Sequence, residues 1–305
     1  MEQNRKFLVS AAPHVRTNRT TQAIMLDVII ALIPVLIASV YVFGVRSLIL
    51  VAASVATCVI AEFVTQKALK KETTITDLSA VVTGMLLAFN VPVGFPIWML
   101  MFGAVFAIVV VKELFGGIGN NFMNPALAAR AVFLASWPSE MALYQGVDMA
   151  TVATPLSGKP FPMMDLFLGN IPGVIGEVSK LAILLGLAYL LVKRVINIRI
   201  PLVYVSTCAV LFLLFGLDLE DTLIQILSGG LLFGGVFMLT DYSTSPMSAK
   251  GQMIYAFGAG LLTVIIRQLG GYPEGVSYAI LLMNVCTPLI DKYFIPKTFG
   301  LGGAK

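Results

Sequence analysis

Residues 24–43, IMLDVIIALIPVLIASVYVF, run for twenty positions with one charged side chain, Asp27. A helix needs about 20 apolar residues to cross the roughly 30 Å hydrocarbon core of a bilayer. Inside lipid the backbone must satisfy its own hydrogen bonds, so such a run dictates helix and membrane together. It is the first of ten: 24–43, 47–65, 78–90, 97–111, 125–137, 178–192, 201–217, 223–239, 253–269 and 276–290. Only 12% of the 305 residues are charged, against about 25% in soluble domains. The expected fold class is all-α, a polytopic membrane protein. The first 21 residues are polar and basic with no apolar core, which argues for a retained first span rather than a cleaved leader.

The third, fifth and eighth runs are short and abut Gly, Asn or Pro, in LAFNVPVGFP, GGIGNNFMNP and LSGGLLFGGVFMLTDYSTSP. Broken helices survive in a bilayer only where protein or water covers the freed backbone, and they mark the working middle of such proteins. Lys and Arg set the orientation. With the N-terminus inside, fifteen of the 20 basic residues fall on cytoplasmic ends, while the outer margin keeps only Arg46, Lys159 and Arg267. Both termini are therefore expected in the cytoplasm, with the longest loop outside. TGMLLAFN (83–90) echoes SGGLLFGG (228–235), and the approach to the fifth run echoes the approach to the tenth. Five runs per half is an odd number, so the second copy enters from the opposite side. The expected plan is a cytoplasmic segment 1–23, a five-helix repeat 24–137 and an extracytoplasmic loop 138–177. An inverted five-helix repeat 178–291 and a cytoplasmic tail 292–305 follow, with the site between the halves.

Several function classes drop out. Cys58, Cys208 and Cys286 each stand alone in apolar stretches, as small buried thiols do. His14 is the single histidine and cannot build a zinc site. No Walker motif, Rossmann fingerprint or nucleophile–base pair is present, and basic residues spread over loops by orientation need no nucleic-acid partner.

The outer loop contains VDMATVATPLSGKP (147–160), with Thr154 directly before Pro155. Proline pushes the preceding residue out of helical geometry. A Thr-Pro pair alone signals a turn, but an exposed hydroxyl on an extended segment can also accept a transferred group. Asp148, Thr151, Ala153 and Thr154 resemble the flavinylation motif Asp-x-x-(Ser/Thr)-Gly-Ala-Thr of the membrane subunits RnfD and NqrB, departing from it at Val152. Residues 13–44, 116–138 and 240–291 resemble that family's other signature regions. About 23 residues precede the first span, which is closer to the RnfD branch than to the longer NqrB one.

The resemblance implies FMN on Thr154 through a phosphoester, installed by a flavin transferase that recognises Asp148, Thr151 and Ala153. It implies a second flavin, riboflavin, held without a covalent bond. It further implies an electron-relay subunit of an Rnf complex with subunits A, B, C, E and G. That complex couples electron flow between ferredoxin and NAD to Na+ or H+ translocation across a bacterial or archaeal inner membrane. No NAD site or iron–sulfur site is encoded, so activity alone is not expected.

Polar residues at membrane depth are functional candidates by default. Asn120, Asn121 and Asn124 precede the fifth run, where they can cap the helix, and Asn120 and Asn124 are also candidate flavin contacts. Arg130 either holds flavin oxygens or pairs with Asp27, Glu113 or Asp241. Asp241 and Thr244 lie in a row of oxygen donors suited to Na+, or to a polar helix-end turn. Glu62 and Asp291 are expected at helix ends facing water. Two other readings remain open: an inverted-repeat small-solute transporter or channel, and the quinone-reducing NqrB subunit of the Na+-pumping NADH dehydrogenase.

Overall fold

The computed structural model describes residues 19–144, 162–270 and 274–294. Among these the backbone is helical, with no strand and one isolated antiparallel bridge, Pro92 to Val174. Helix α1 (Thr21–Phe43) starts where the Thr20 side chain accepts the Ala23 N–H. Its residues divide into two stripes. Ala31, Leu32, Val35, Ser39 and Val42 are buried, while Leu26, Ile30, Ile33, Ile37 and Tyr41 are exposed. An exposed face greasier than the packed one belongs to a helix whose solvent is lipid.

Helix α2 (Val45–Ala68) follows after a single residue. Helices α1, α2 and α12 (Ala249–Leu269) are long and apolar enough to cross a membrane. The pair α10 (Leu219–Leu227) and α11 (Leu231–Phe233, continued by a π-helical turn Gly234–Met238) bends by 64° and adds a fourth crossing if taken together. The rest are α3 (Ser79–Phe89), α4 (Ile97–Phe106, continued by π-helical Ala107–Glu113), α5 (Pro125–Ser136), and short α6 (Pro138–Met141) and α7 (Met163–Leu168). They continue with α8 (Lys180–Val192), α9 (Arg199–Leu214) and α13 (Val276–Tyr293). At 1.5 Å per residue, α3 and α5 reach about 17 and about 18 Å, little more than half of a bilayer core of roughly 30 Å. Each of the ten predicted runs falls on helical backbone, yet helix length qualifies only three or four of them as crossings.

The breaks expected from Gly, Asn and Pro are covered by protein. After α3, Val91, Val93 and Phe95 are fully buried. The amides of Ile175 and Gly176 donate to Val91 O (3.1 Å) and Phe89 O (2.8 Å), so a segment distant in the chain closes the open backbone. Arg46 donates to Val93 O at 2.8 Å. At the second break, Arg267 donates to Gln225 O at 2.6 Å and Ser228 O at 3.2 Å, satisfying carbonyls at the end of α10.

Helices α1–α5 pack among themselves, as do α8–α13. The α2–α4 packing in the first group is matched by α9–α12 in the second, and α4–α5 by α12–α13. The groups join where α1 packs on α8 and α5 on α13. Arg19, before α1, donates to Lys193 O beyond the end of α8 at 2.7 Å, so these two helices run antiparallel. A Cβ on Gly186 would lie 2.5 Å from Ala31 O, and only glycine permits that approach of the two backbones.

Candidate functional site

On this seam lies a cavity of ≈ 710 Å³, lined from both groups. Val82, Leu86 and Phe237 supply apolar wall; Lys112, Asn121, Asn124, Asp241 and Asp291 supply polar wall. Asn124 is the N-cap of α5: its Oδ1 accepts from Ala126 N at 3.0 Å and Leu127 N at 3.2 Å, with Pro125 at the first helical position where no N–H is needed. The Asn121 amide donates to Ser243 Oγ and to Met123 O, both at 3.1 Å, tying the approach to α5 to the turn after Met238. In that turn the Asp241 carboxylate accepts from Ser243 Oγ (3.0 Å), Ser243 N (3.4 Å) and Thr244 Oγ1 (3.2 Å). Burial pushes the Asp241 carboxyl above its ordinary value, and the hydrogen bonds from Ser243 and Thr244 pull it partly back. Asp241 and Thr244, expected as a pair of cation ligands, do meet, and the bonds between them are those of a helix-end turn.

The other predicted residues are distributed differently. Asn120 is exposed, its amide reaching Gly116 O at 3.5 Å, and does not line the cavity. Asp291 is half-buried on the cavity wall, not turned to water, and accepts from Met247 N at 3.1 Å. Thr154, Asp148, Thr151 and Ala153 lie outside the described residues.

Arg130 pairs with none of Asp27, Glu113 and Asp241. Six residues beyond Asn124 it sits about 9 Å further along α5 and some 240° around it, so it faces away from the cavity. It pairs instead with Glu177 at 3.2 Å and with Glu274, and donates to Asn90 Oδ1 at the first helix break. Lys180, fully buried, donates to Glu177 O; Arg267 Nε donates to Glu274 O at 3.2 Å. Arg130 thus holds both carboxylates while Lys180 and Arg267 hold the main-chain carbonyls of the same two residues at the meeting of both breaks, and Arg130 Nε finds no acceptor among the described residues. Tyr144, the last described residue before the Thr154 loop, reaches Glu274 Oε1 at 3.5 Å.

A second buried charge cluster has little warning in the sequence. Glu62 is fully buried, well inside α2 rather than at its watery end. Lys112, which reads from the sequence as a loop cation, is 3% exposed and donates to Glu62 Oε2 at 2.8 Å and Ser79 Oγ at 2.6 Å. Gln66 bridges Glu62 Oε1 (3.2 Å) and Glu113 Oε1 (3.1 Å), and Lys71 donates to Glu113 O at 3.0 Å. The adjacent Lys-Glu pair closing the otherwise uncharged AIVVVKE is the available signal.

Membrane-length helices, breaks sealed by arginine, and a cavity on an antiparallel seam define the class: a multi-pass helical membrane protein with an internal ligand-sized site. The family described as "NQR2, RnfD, RnfE" matches residues 8–300, and the chain belongs to it. It is 50% identical to the D subunit of the Na(+)-translocating ferredoxin:NAD(+) oxidoreductase complex of Acetobacterium woodii, covering 96% of this chain and 95% of that protein. It is 40% identical to the proton-translocating counterpart of Clostridium ljungdahlii, covering 96% of each. To the D subunit of the ion-translocating oxidoreductase complex of Escherichia coli it is 32% identical, over 96% of this chain and 98% of the other.

Proposed function

We propose that this chain is the RnfD-type subunit of an Rnf complex, an ion-translocating ferredoxin:NAD oxidoreductase assembled with subunits A, B, C, E and G. It would carry FMN on Thr154 as one electron relay and riboflavin in the seam cavity as another. The observation that carries the reading is the end-to-end kinship with D subunits named for that activity. The cavity supports it. Its ≈ 710 Å³ falls in the range of about 300–1,000 Å³ common to ligand sites. Apolar wall suits a fused aromatic ring, and Asn121, Asn124 and Asp241 suit ring heteroatoms and a polyol chain. A flavin bound there supplies one- and two-electron redox chemistry; the protein supplies position, exclusion of water and the local field.

The proposed frame is ten spans in two inverted halves, with both termini in the cytoplasm and the Thr154 loop outside. The antiparallel pairing of α1 on α8 supports it, as does the packing of α5 on α13, since each joins corresponding helices of the two halves. Asp241 and Thr244 remain proposed Na+ contacts; whether Na+ or H+ is carried differs even between the Acetobacterium and Clostridium relatives.

The test is a denaturing gel viewed under ultraviolet light after coexpression with a flavin transferase. A fluorescent band is expected in the wild type and in Ser157→Ala, whose hydroxyl lies outside the recognition positions, and none in Thr154→Ala, which should fold normally because one hydroxyl adds little stability. A band persisting in Thr154→Ala removes the attachment site.

A further inference from the structure

We propose that Lys112 sets the reduction potential of the flavin in the seam cavity, with Glu62 setting how much of the lysine's charge the ring feels. The proposal rests on the reading that the cavity holds a flavin. Among the described residues Lys112 is the one Lys or Arg on the cavity wall, where the carboxylates are Asp241 and Asp291. Its ammonium cannot withdraw to water, being held between Glu62 and Ser79 in the interior. The backbone is shaped for this. In the π-helical turn Ala107–Glu113, the Leu114 amide reaches back to Val109 O at 3.1 Å, five residues rather than four. The widened turn lets two consecutive charged residues both point inward, Lys112 to Glu62 and the cavity, Glu113 to Gln66. Such turns interrupt helices preferentially at functional sites.

The chemistry follows from charge. Reduction by two electrons from the complex's donors, with one proton taken from water, leaves the ring one unit more negative. A cation in the wall favours that added charge, and the field acts strongly where water is excluded. Glu62 opposes it, because its carboxylate sits 2.8 Å behind the ammonium and cancels part of the field. Removing Lys112 leaves a wall of carboxylates; removing the Glu62 charge leaves the lysine uncompensated. The two changes therefore act with opposite sign, whereas loosened packing would move both variants the same way.

The full chain, coexpressed with a flavin transferase and purified in detergent, is titrated spectroelectrochemically, and its acid-extractable flavin is measured separately from the covalent FMN. In Lys112→Gln the extractable flavin should become harder to reduce by at least tenfold in its oxidised-to-reduced ratio, about 30 mV for a two-electron couple. Glu62→Gln should shift it by a similar factor the other way, and the double variant should lie between them. Shifts of the same sign, or no shift with the flavin retained, overturn the proposal. Should Lys112→Gln release its flavin, a wild-type potential in Lys112→Arg with a raised one in Glu62→Gln upholds it; release from all three overturns it. Wild-type protein without extractable flavin refutes the cavity reading itself, a separate result.

Discussion

Arg130 draws Glu177 and Glu274 together from distant parts of the chain, and with Asn90 it touches both helical groups at once. All three ionic partners are largely buried, so their attraction is little screened and their desolvation is already incurred. Removing one member of such a set strands the others, at about 3–5 kcal/mol. Arg130→Met should therefore lower the thermal midpoint of the detergent-solubilised protein by several degrees, with Glu177→Gln nearly as damaging. Lys71→Met, whose partner is Glu113 but whose side chain is 39% exposed, should change it little. A midpoint equal in Arg130→Met and Lys71→Met would mean that the cluster does not hold the groups together. The sequence flags Arg130 by its depth, but a depth says nothing of azimuth. Its carboxylate partners follow from where 177 and 274 return to the seam, which no local pattern encodes.

Among the elements, the long helices are legible because a 20-residue apolar run needs no knowledge of its neighbours, and the breaks are legible because Gly, Asn and Pro announce them. The sealing of the breaks is not. Arg46 and Arg267 read as outer-margin charges, yet each donates to carbonyls of a broken segment, Arg46 47 residues away and Arg267 39 to 42. The Asn124 cap is legible from Asn-Pro before an apolar run. Lys112 escapes notice because the fourth apolar run ends at residue 111, one short of the lysine, where the π-helical turn carries the helix on to Glu113. Packing of α1 on α8 yields a prediction at this scale. A side chain at position 186 would meet Ala31 O at 2.5 Å and the Phe237 ring at 2.7 Å. Gly186→Val should force the two helices apart, with overpacking of about 1–3 kcal/mol or more, and should also distort the cavity that Phe237 lines. Gly173→Ala, with open space around its Cβ, should be neutral. The measurement is the thermal midpoint together with retained flavin, and equal behaviour of the two variants would contradict the packing.

At the scale of the whole molecule, helix length among the described residues fixes only three or four crossings, so sidedness has to be argued from charge and from the seam. Lys70, between α2 and α3, and Arg194, beyond α8, belong on the cytoplasmic face if basic residues mark the inside. Ser139 and Glu220 then belong outside, and all four side chains are exposed and open to a reagent. The seam constrains the same choice independently: Arg19 on Lys193 O puts the start of α1 and the end of α8 on one face, as an inverted second half requires and a tandem one forbids. With Cys58, Cys208 and Cys286 replaced by serine, single cysteines at 139 and 220 should react with a membrane-impermeant maleimide in intact cells. Those at 70 and 194 should react only after permeabilisation. Labelling of 70 and 139 from the same side would leave an odd number of crossings unaccounted for between them and break the five-helix half. Labelling of 194 and 220 from the same side would break its partner, and with it the proposed frame of two opposed halves about the cavity.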